Sequence, residues 1–542
     1  LAEHYLQAQV WDKAVTYLVQ AAEEAQARYA YGVALERYTQ ALTLLKQHAP
    51  FTGSRNVELR FDVLCKQYYL LWDRGECQQA EASLRSLQQT VQGLDDPQRQ
   101  AEALNQHLDF LYRASRFDEV VAVADEALAL AQAHGLTRQM ARTLKTKGEA
   151  CSKCDREEGE QVLHHALDLW RKVGSVNSGE AVRMRAEILM SLVFYYVQRG
   201  LHTPAERAGQ RLAALAQESE SPMVAVSAFY SQAQLAEARG DYEAGLHYKQ
   251  DCLELIRRVG LRRWEQAILT SLGNALAVRR AYGPAFAHYR RALELARQSA
   301  DDYGIVTTRY NLGFLLSITG RHADAEAHLS ASLELAGERE LSSWKALALS
   351  GLGILYLQES QPGRRERARA EHYLQEALEI LSAQQLEYGA PGVHYGLGLL
   401  SLSRQSVERA ATHFEKGLEI AERSGDPVAA ICCSYLALCH HLQNRREEAL
   451  QLSARAVKLV ESAASASYPQ VVYRHRGRIL DAQGQKVAAR ELLEKAYASI
   501  QAQKETLPDP DWQRAFLENV PANREIVAIY EVIQAQVQAG RI

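Results

Sequence analysis

The sequence predicts an all-α solenoid of stacked helix pairs, on three observations. A pattern recurs about every forty residues: Gly240-Asp241-Tyr242 with Leu253-Glu254-Leu255, Arg280-Ala281-Tyr282 with Leu293-Glu294-Leu295, and Gly320-Arg321-His322 with Leu333-Glu334-Leu335. Self-similarity at that period marks an array of supersecondary units, none of which buries its apolar face alone. Small residues recur in register with the period. Finally, Ala, Leu, Arg, Glu and Gln dominate the 542 residues and only 12 are proline, a composition that favours helix throughout. The hydrophobic content of 47% suffices for a continuous core.

Each unit is numbered so that the small residue midway along its first helix is position 8. Gly273, Gly313, Gly353, Gly398, Ala437 and Gly477 then hold position 8 in consecutive units. Position 20, early in the second helix, is Ala285, Ala325, Ala370, Ala410, Ala449 and Ala489. Position 27 is Ala292, Ser332, Ala377, Gly417, Ala456 and Ala496. Position 24 is large in Tyr289, Leu329, Leu374, Phe414 and Leu493, with Ser453 the exception. Small residues let helix axes approach and the large one fills the gap between them.

Upstream the period holds while the register loosens. Second helices are expected to begin near Gly75, Ser115, Cys154 and Gly200, with Ala80, Val120, Gly159 and Ala205 at position 20. Tyr68, Leu108 and Val193 stand where position 8 is small elsewhere. About thirteen units result. They divide into an N-terminal pair plus a shortened unit (1–50, the short one at 33–45), divergent units (51–217), regular units (218–506) and a C-terminal linker with a helix (507–542). Two steps exceed forty residues, through the turn Gly174-Ser175-Val176-Asn177-Ser178-Gly179 and through Gln361-Pro362-Gly363. The final helix, with Ile526, Ile529, Tyr530 and Ile533 at helical spacing, is expected to cap the stack.

Composition also bounds function. A formal net charge of −4 gives no overall reason to expect nucleic acid or an anionic membrane as partner. No apolar run approaches the ~18 residues of a membrane span. Eight cysteines lack the dense spacing of a disulfide framework, which fits a reducing, cytoplasmic compartment. Cys151-x-x-Cys154 ahead of His164-His165 has zinc-ligand chemistry, but the register separates the two pairs, and packed thiols are the better reading. Gly351-Leu352-Gly353 and Gly396-Leu397-Gly398 are packing positions, and no G-x-x-x-x-G-K-[ST] phosphate loop occurs. The segment therefore reads as non-catalytic, with no metal and no cofactor. Starting at Leu1 inside a helical pattern, it reads as a piece of a longer protein.

The period, the small positions and the ends resemble the tetratricopeptide family in its long-repeat bacterial form, which implies a right-handed superhelix. Leu1-Ala2-Glu3-His4-Tyr5, Trp11-Asp12-Lys13-Ala14-Val15 and Phe516-Leu517-Glu518-Asn519-Val520-Pro521 carry a narrower resemblance. They are similar to the ends of the C-terminal sensor region of bacterial STAND-class signal-transduction ATPases, maltose-activator-like regulators among them. That resemblance implies a regulatory array that senses an inducer or partner and contacts an ATPase or effector module that this segment lacks.

In tetratricopeptide arrays positions 2, 5, 9, 12 and 13 of the first helix face the concave groove. Carried over, positions 5 and 9 give Tyr230 and Gln234, Thr270 and Asn274, Tyr310 and Phe314, Ser350 and Ile354, Tyr395 and Leu399, and Arg474 and Arg478. Aromatics beside amides suit an extended peptide or an inserted partner helix. The partner-binding set is therefore expected to be Tyr230, Gln234, Thr270, Asn274, Tyr310, Phe314, Tyr395, Arg474 and Arg478. The alternatives are a constitutive interaction scaffold and a peptide-pheromone receptor of the long-repeat type.

Overall fold

The computed structural model describes residues 1–538 except 29, 75, 114–115, 154–157, 174–178, 261, 300, 359–362, 384–385 and 463–467. The helix starts expected at Gly75, Ser115 and Cys154, the turn 174–178 and the pair Gln361-Pro362 therefore lie outside the described residues. Among the described residues regular structure is entirely helical, in 27 helices. A short α1 (Ala2–Gln7) precedes α2 (Trp11–Ala27) and α3 (Tyr31–His48). Helix pairs follow: α4 and α5 (Arg55–Asp73, Cys77–Val91), α6 and α7 (Pro97–Arg113, Phe117–Ala133), α8 and α9 (Thr137–Lys153, Glu158–Lys172), and α10 and α11 (Gly179–Gln198, His202–Gln217). Next come α12 and α13 (Pro222–Ala238, Tyr242–Val259), α14 and α15 (Arg262–Val278, Tyr282–Gln298), and α16 and α17 (Asp302–Ile318, His322–Glu338). The series continues with α18 and α19 (Ser342–Leu355, Arg364–Ala383), α20 and α21 (Ala390–Ser403, Val407–Ser424), and α22 and α23 (Val428–Leu442, Arg446–Ser462). It closes with α24 and α25 (Pro469–Asp481, Lys486–Glu505), α26 (Pro510–Glu518) and α27 (Pro521–Gln538). None of these helices is long and apolar enough to cross a membrane.

One local device makes the reversals inside the pairs. A residue with positive φ ends the first helix: Gly240, Arg280, Gly320, Gln405, Asn444 and Gly484. The next N–H then reaches five residues back, as Asp241 to the Ala236 carbonyl (2.8 Å), Arg321 to Leu316 (2.9 Å) and Arg445 to His440 (2.9 Å). This is the Schellman closure, which satisfies carbonyls that the helix end would orphan. A non-glycine residue there sits in a conformation that costs roughly 1 kcal/mol. Gln405→Gly, at φ 61°, should therefore stabilise its unit by about 0.5–1 kcal/mol, read as a rise in the thermal midpoint.

The register explains the packing between helices. Ala285, Ala325, Ala370, Ala410 and Ala449 at position 20 are fully buried, as are Ala14, Ala34, Ala80 and Ala205 upstream. A Cβ on Gly273 would stand 2.5 Å from the Tyr289 ring, and one on Gly398 2.5 Å from Phe414. Position 8 is small because the large position 24 occupies its space. Gly148 obeys the same rule against Leu163, at 2.7 Å, inside the divergent stretch. At the N-terminal end the six-residue α1 is the short member and α3 is full length. Ala34 and Tyr38 of α3 are buried in the same register as Ala14 and Leu18 of α2, so α2 is second helix to α1 and first helix to α3.

The array coils back on itself. Helix α27 lies along the last pair, with Tyr530 stacked on Tyr497 at 3.9 Å. The segment before it does something the repeat pattern does not announce: it turns sideways onto the reversals of two earlier pairs. The Tyr282 backbone N–H donates to the Thr506 hydroxyl (3.1 Å), 224 residues away, and the Tyr282 hydroxyl donates to Gln503 Oε1 (3.2 Å). Asn519 Nδ2 donates to the Gly320 carbonyl (2.9 Å). Trp512 stands edge-on to Phe286 at 4.8 Å, beneath the Arg321 guanidinium. Leu507, Trp512, Phe516 and Ile526 join one core with Tyr282, Leu316 and Leu329. A second approach between turns of the coil is polar: Arg116 before α7 faces Glu340 at 3.9 Å across a cleft of about 460 Å³.

Candidate functional site

Placement along the inner wall decides which groove residues are available. Tyr310 is half-buried, stacked on Phe314 at 6.4 Å and edge-on to Trp344 at 5.8 Å. Phe314 itself is 39% exposed. Tyr230 is half-buried, burial pushing its hydroxyl up. Gln234, one turn further on, has a buried Oε1 without a hydrogen-bond partner.

The other expected residues are engaged by the fold. Thr270 is buried in a polar ladder between neighbouring first helices: Gln266 Nε2 donates to its hydroxyl (3.2 Å) and to that of Thr308 (3.0 Å). Asn274 is exposed, but its Oδ1 accepts from the Tyr289 hydroxyl at 2.6 Å and so braces the second helix. Tyr395 is buried, edge-on to Tyr435 at 5.7 Å and stacked on Tyr468 at 6.5 Å. Arg474 pairs with Glu525 of α27, while Arg478 is exposed. The wall thus brings half-buried Tyr310 against exposed Phe314 and withdraws Thr270 and Tyr395 into packing.

Further aromatics reinforce the wall at a position the register did not flag. Trp264, Tyr303 and Trp344 stand near the start of the successive first helices α14, α16 and α18, and Tyr388 and Tyr468 just ahead of α20 and α24. Tyr303 stands edge-on to Trp344 at 6.1 Å. Tyr388 is 65% exposed, yet burial pushes its hydroxyl up to about 12, with Asp426 and Tyr303 adding to the effect. Burial likewise raises the Tyr310 hydroxyl, followed by Tyr388, Asp426 and Tyr468. Recurrence of an aromatic two or three residues ahead of position 1 was the available sequence signal.

Toward the N-terminus the same wall is ionic. Arg142 Nη1 contacts Glu102 at 2.6 Å and Arg142 Nη2 lies 3.9 Å from Asp109. Lys145 Nζ sits 2.8 Å from Glu187 and 3.5 Å from Glu149, and the Ser191 hydroxyl donates to Glu149 at 2.6 Å. Burial opposes the charges of Glu102, Arg142, Lys145, Glu149 and Glu187. Lys145 and Arg183 nevertheless hold the Glu187 carboxyl at about 2, whereas burial wins at Glu149 and raises it. Counting from Leu108 and Gly148 at position 8, Glu102, Asp109, Arg142, Lys145 and Glu149 occupy positions 2, 5 and 9, so extending the register upstream finds them.

Elsewhere, Cys151 is buried and its Sγ lies 3.4 Å from a Glu158 oxygen, while His164 Nε2 lies 3.0 Å from the Tyr196 hydroxyl. Cys154 lies outside the described residues. Among those described, no group of three or more His, Cys, Asp or Glu is arranged to hold a metal ion.

No family model and no curated protein matches the chain. Similar solved structures include a Rap protein complexed with competence and sporulation factor, 11% identical, covering 68% of this chain and 99% of its own, with a TM-score of 0.45. The apo form of the quorum sensor NprR from B. thuringiensis is 15% identical, covers 65% and 96%, and has a TM-score of 0.42. The APC/C hetero-tetramer Cut9–Hcn1 is 13% identical over 93% and 96%, with a TM-score of 0.43. These likenesses are distant, and the helical-repeat fold rests on the chain's own turns and packing.

Proposed function

We propose that the chain is the sensor array of a bacterial STAND-type signalling ATPase and takes an extended peptide or partner segment along its inner wall. The exposed aromatic rings of Phe314 and Tyr388 carry this reading. Rigid aromatic side chains supply large contact area at low entropic cost, and such residues dominate binding energy at interfaces. The ionic stretch on α6, α8 and α10 gives the same wall a polar end that fixes the direction of a bound chain. A ligand spanning several units favours one pitch of the coil and so shifts the balance between two states of an attached module. The ends that resemble STAND proteins supply the link to that module.

Selection of random extended peptides on the immobilised chain tests the reading. Enriched peptides are expected to be aromatic or aliphatic and to lose about tenfold or more in affinity for Phe314→Ala/Tyr388→Ala. Equal affinity for the double variant would move the site off this wall. Small-angle scattering with and without the selected peptide separates sensor from scaffold, since only a sensor changes dimensions on binding.

A further inference from the structure

A cleft between the second helices α15 and α17 takes no part in the inner wall. Its volume is about 530 Å³, within the range of small-molecule sites. Leu293, Leu312 and Leu316 give it an apolar floor and Trp512 of α26 bounds one end.

The charge around the cleft is unbalanced. Each carboxylate on its lining is already committed: Glu294 to Arg291 (3.1 Å), Asp324 to Arg321 (2.7 Å), and Asp509 to the Trp512 backbone N–H (2.8 Å). Arg290 and Arg297, both on the lining, have no carboxylate partner among the described residues. Burial lowers the pKa of His328 on the lining, and the charges of Arg309 and Arg297 push it further down. Two buried polar atoms that lack a hydrogen-bond partner, Trp512 Nε1 and His328 Nδ1, belong to the same lining. An indole N–H only donates, so the group that completes this end must be an acceptor. Guanidinium pairs are suited to oxyanions, phosphate above all.

We propose that this cleft binds a small phosphate ester, with its phosphate at Arg290 and Arg297, its body over Leu293 and Leu316, and an oxygen of that body accepting from the Trp512 indole. The site is independent of the peptide reading, since none of its residues lies on the inner wall.

Isothermal titration of the intact chain at low ionic strength, with adenosine monophosphate, glycerol 3-phosphate and inorganic phosphate as probes, tests it. At least one ester is expected to bind more tightly than inorganic phosphate. Arg290→Gln/Arg297→Gln should weaken that binding about tenfold or more. Trp512→Phe, which keeps a ring and removes the N–H, should weaken the ester and leave inorganic phosphate unchanged. Absence of binding by all three probes, or affinity unchanged in the arginine double variant, would overturn the site. Equal affinity for ester and inorganic phosphate would overturn the ester as ligand.

Discussion

Lys145→Ala is expected to destabilise the N-terminal half of the coil by about 3–5 kcal/mol, the usual cost of leaving buried charge without its partner. Lys145 stands between Glu149 and Glu187, and the three side chains are 15%, 11% and 21% exposed. Its loss leaves two carboxylates facing each other with little water to screen them. Adding Glu187→Gln to Lys145→Ala should recover much of the loss, because it removes one of the stranded charges. The same cluster gives a pH dependence. The folded-state Glu187 carboxyl is held at about 2 against an ordinary 4.5, so the unfolded chain takes up this proton first as acid is added. The stability it confers is complete above pH ~4.5 and falls away toward pH 2. Glu149, raised by burial, acts in the opposite direction and blunts the loss. Thermal melts of the wild type and Glu187→Gln between pH 2 and 6 check the sign: the variant should have the flatter profile.

Trp512→Ala is expected to release the closure between α26 and the earlier turn of the coil, at a local cost of about 3–5 kcal/mol. The indole is 3% exposed, packed against Phe286 and capped by Arg321. The chain should keep its helical circular dichroism while its radius of gyration rises, since the pairs themselves do not depend on Trp512. An unchanged radius of gyration in the variant would mean that the hydrogen bonds of Tyr282 and Asn519 hold the seam alone.

What the sequence makes legible here is what repeats. The reversals at Gly240, Arg280 and Gly320, the buried alanines at position 20 and the Gly273–Tyr289 and Gly398–Phe414 fits all arise from residues a few positions apart, so one unit teaches the next. Position 5 illustrates the limit. Tyr310 and Thr270 share it, but the helix-to-helix distance at α14 and α16 draws the threonine hydroxyl into a ladder with Gln266 and Thr308. Spacing between units depends on all the side chains at an interface, and periodicity does not encode it. The docking of α26 is harder still to foresee: it depends on the accumulated pitch over 224 residues, to which each unit adds a small rotation. The ionic stretch at Glu102, Arg142 and Lys145 was within reach, because it follows from carrying the same numbering toward the N-terminus.

The seam at Thr506 and Trp512 alters how the molecule responds to force. An open solenoid behaves as a spring that stretches gradually, because each unit touches only its neighbours. Here Tyr282–Thr506 and Gly320–Asn519 clasp two coils together, so tension applied between the ends is borne first by that clasp. Extension should begin with one abrupt yield as α26 peels away, followed by compliant lengthening of intact helix pairs and, only at higher load, by their unravelling. A partner that pulls on or displaces the C-terminal segment would thereby convert a stiff coil into an extensible one without melting a single repeat.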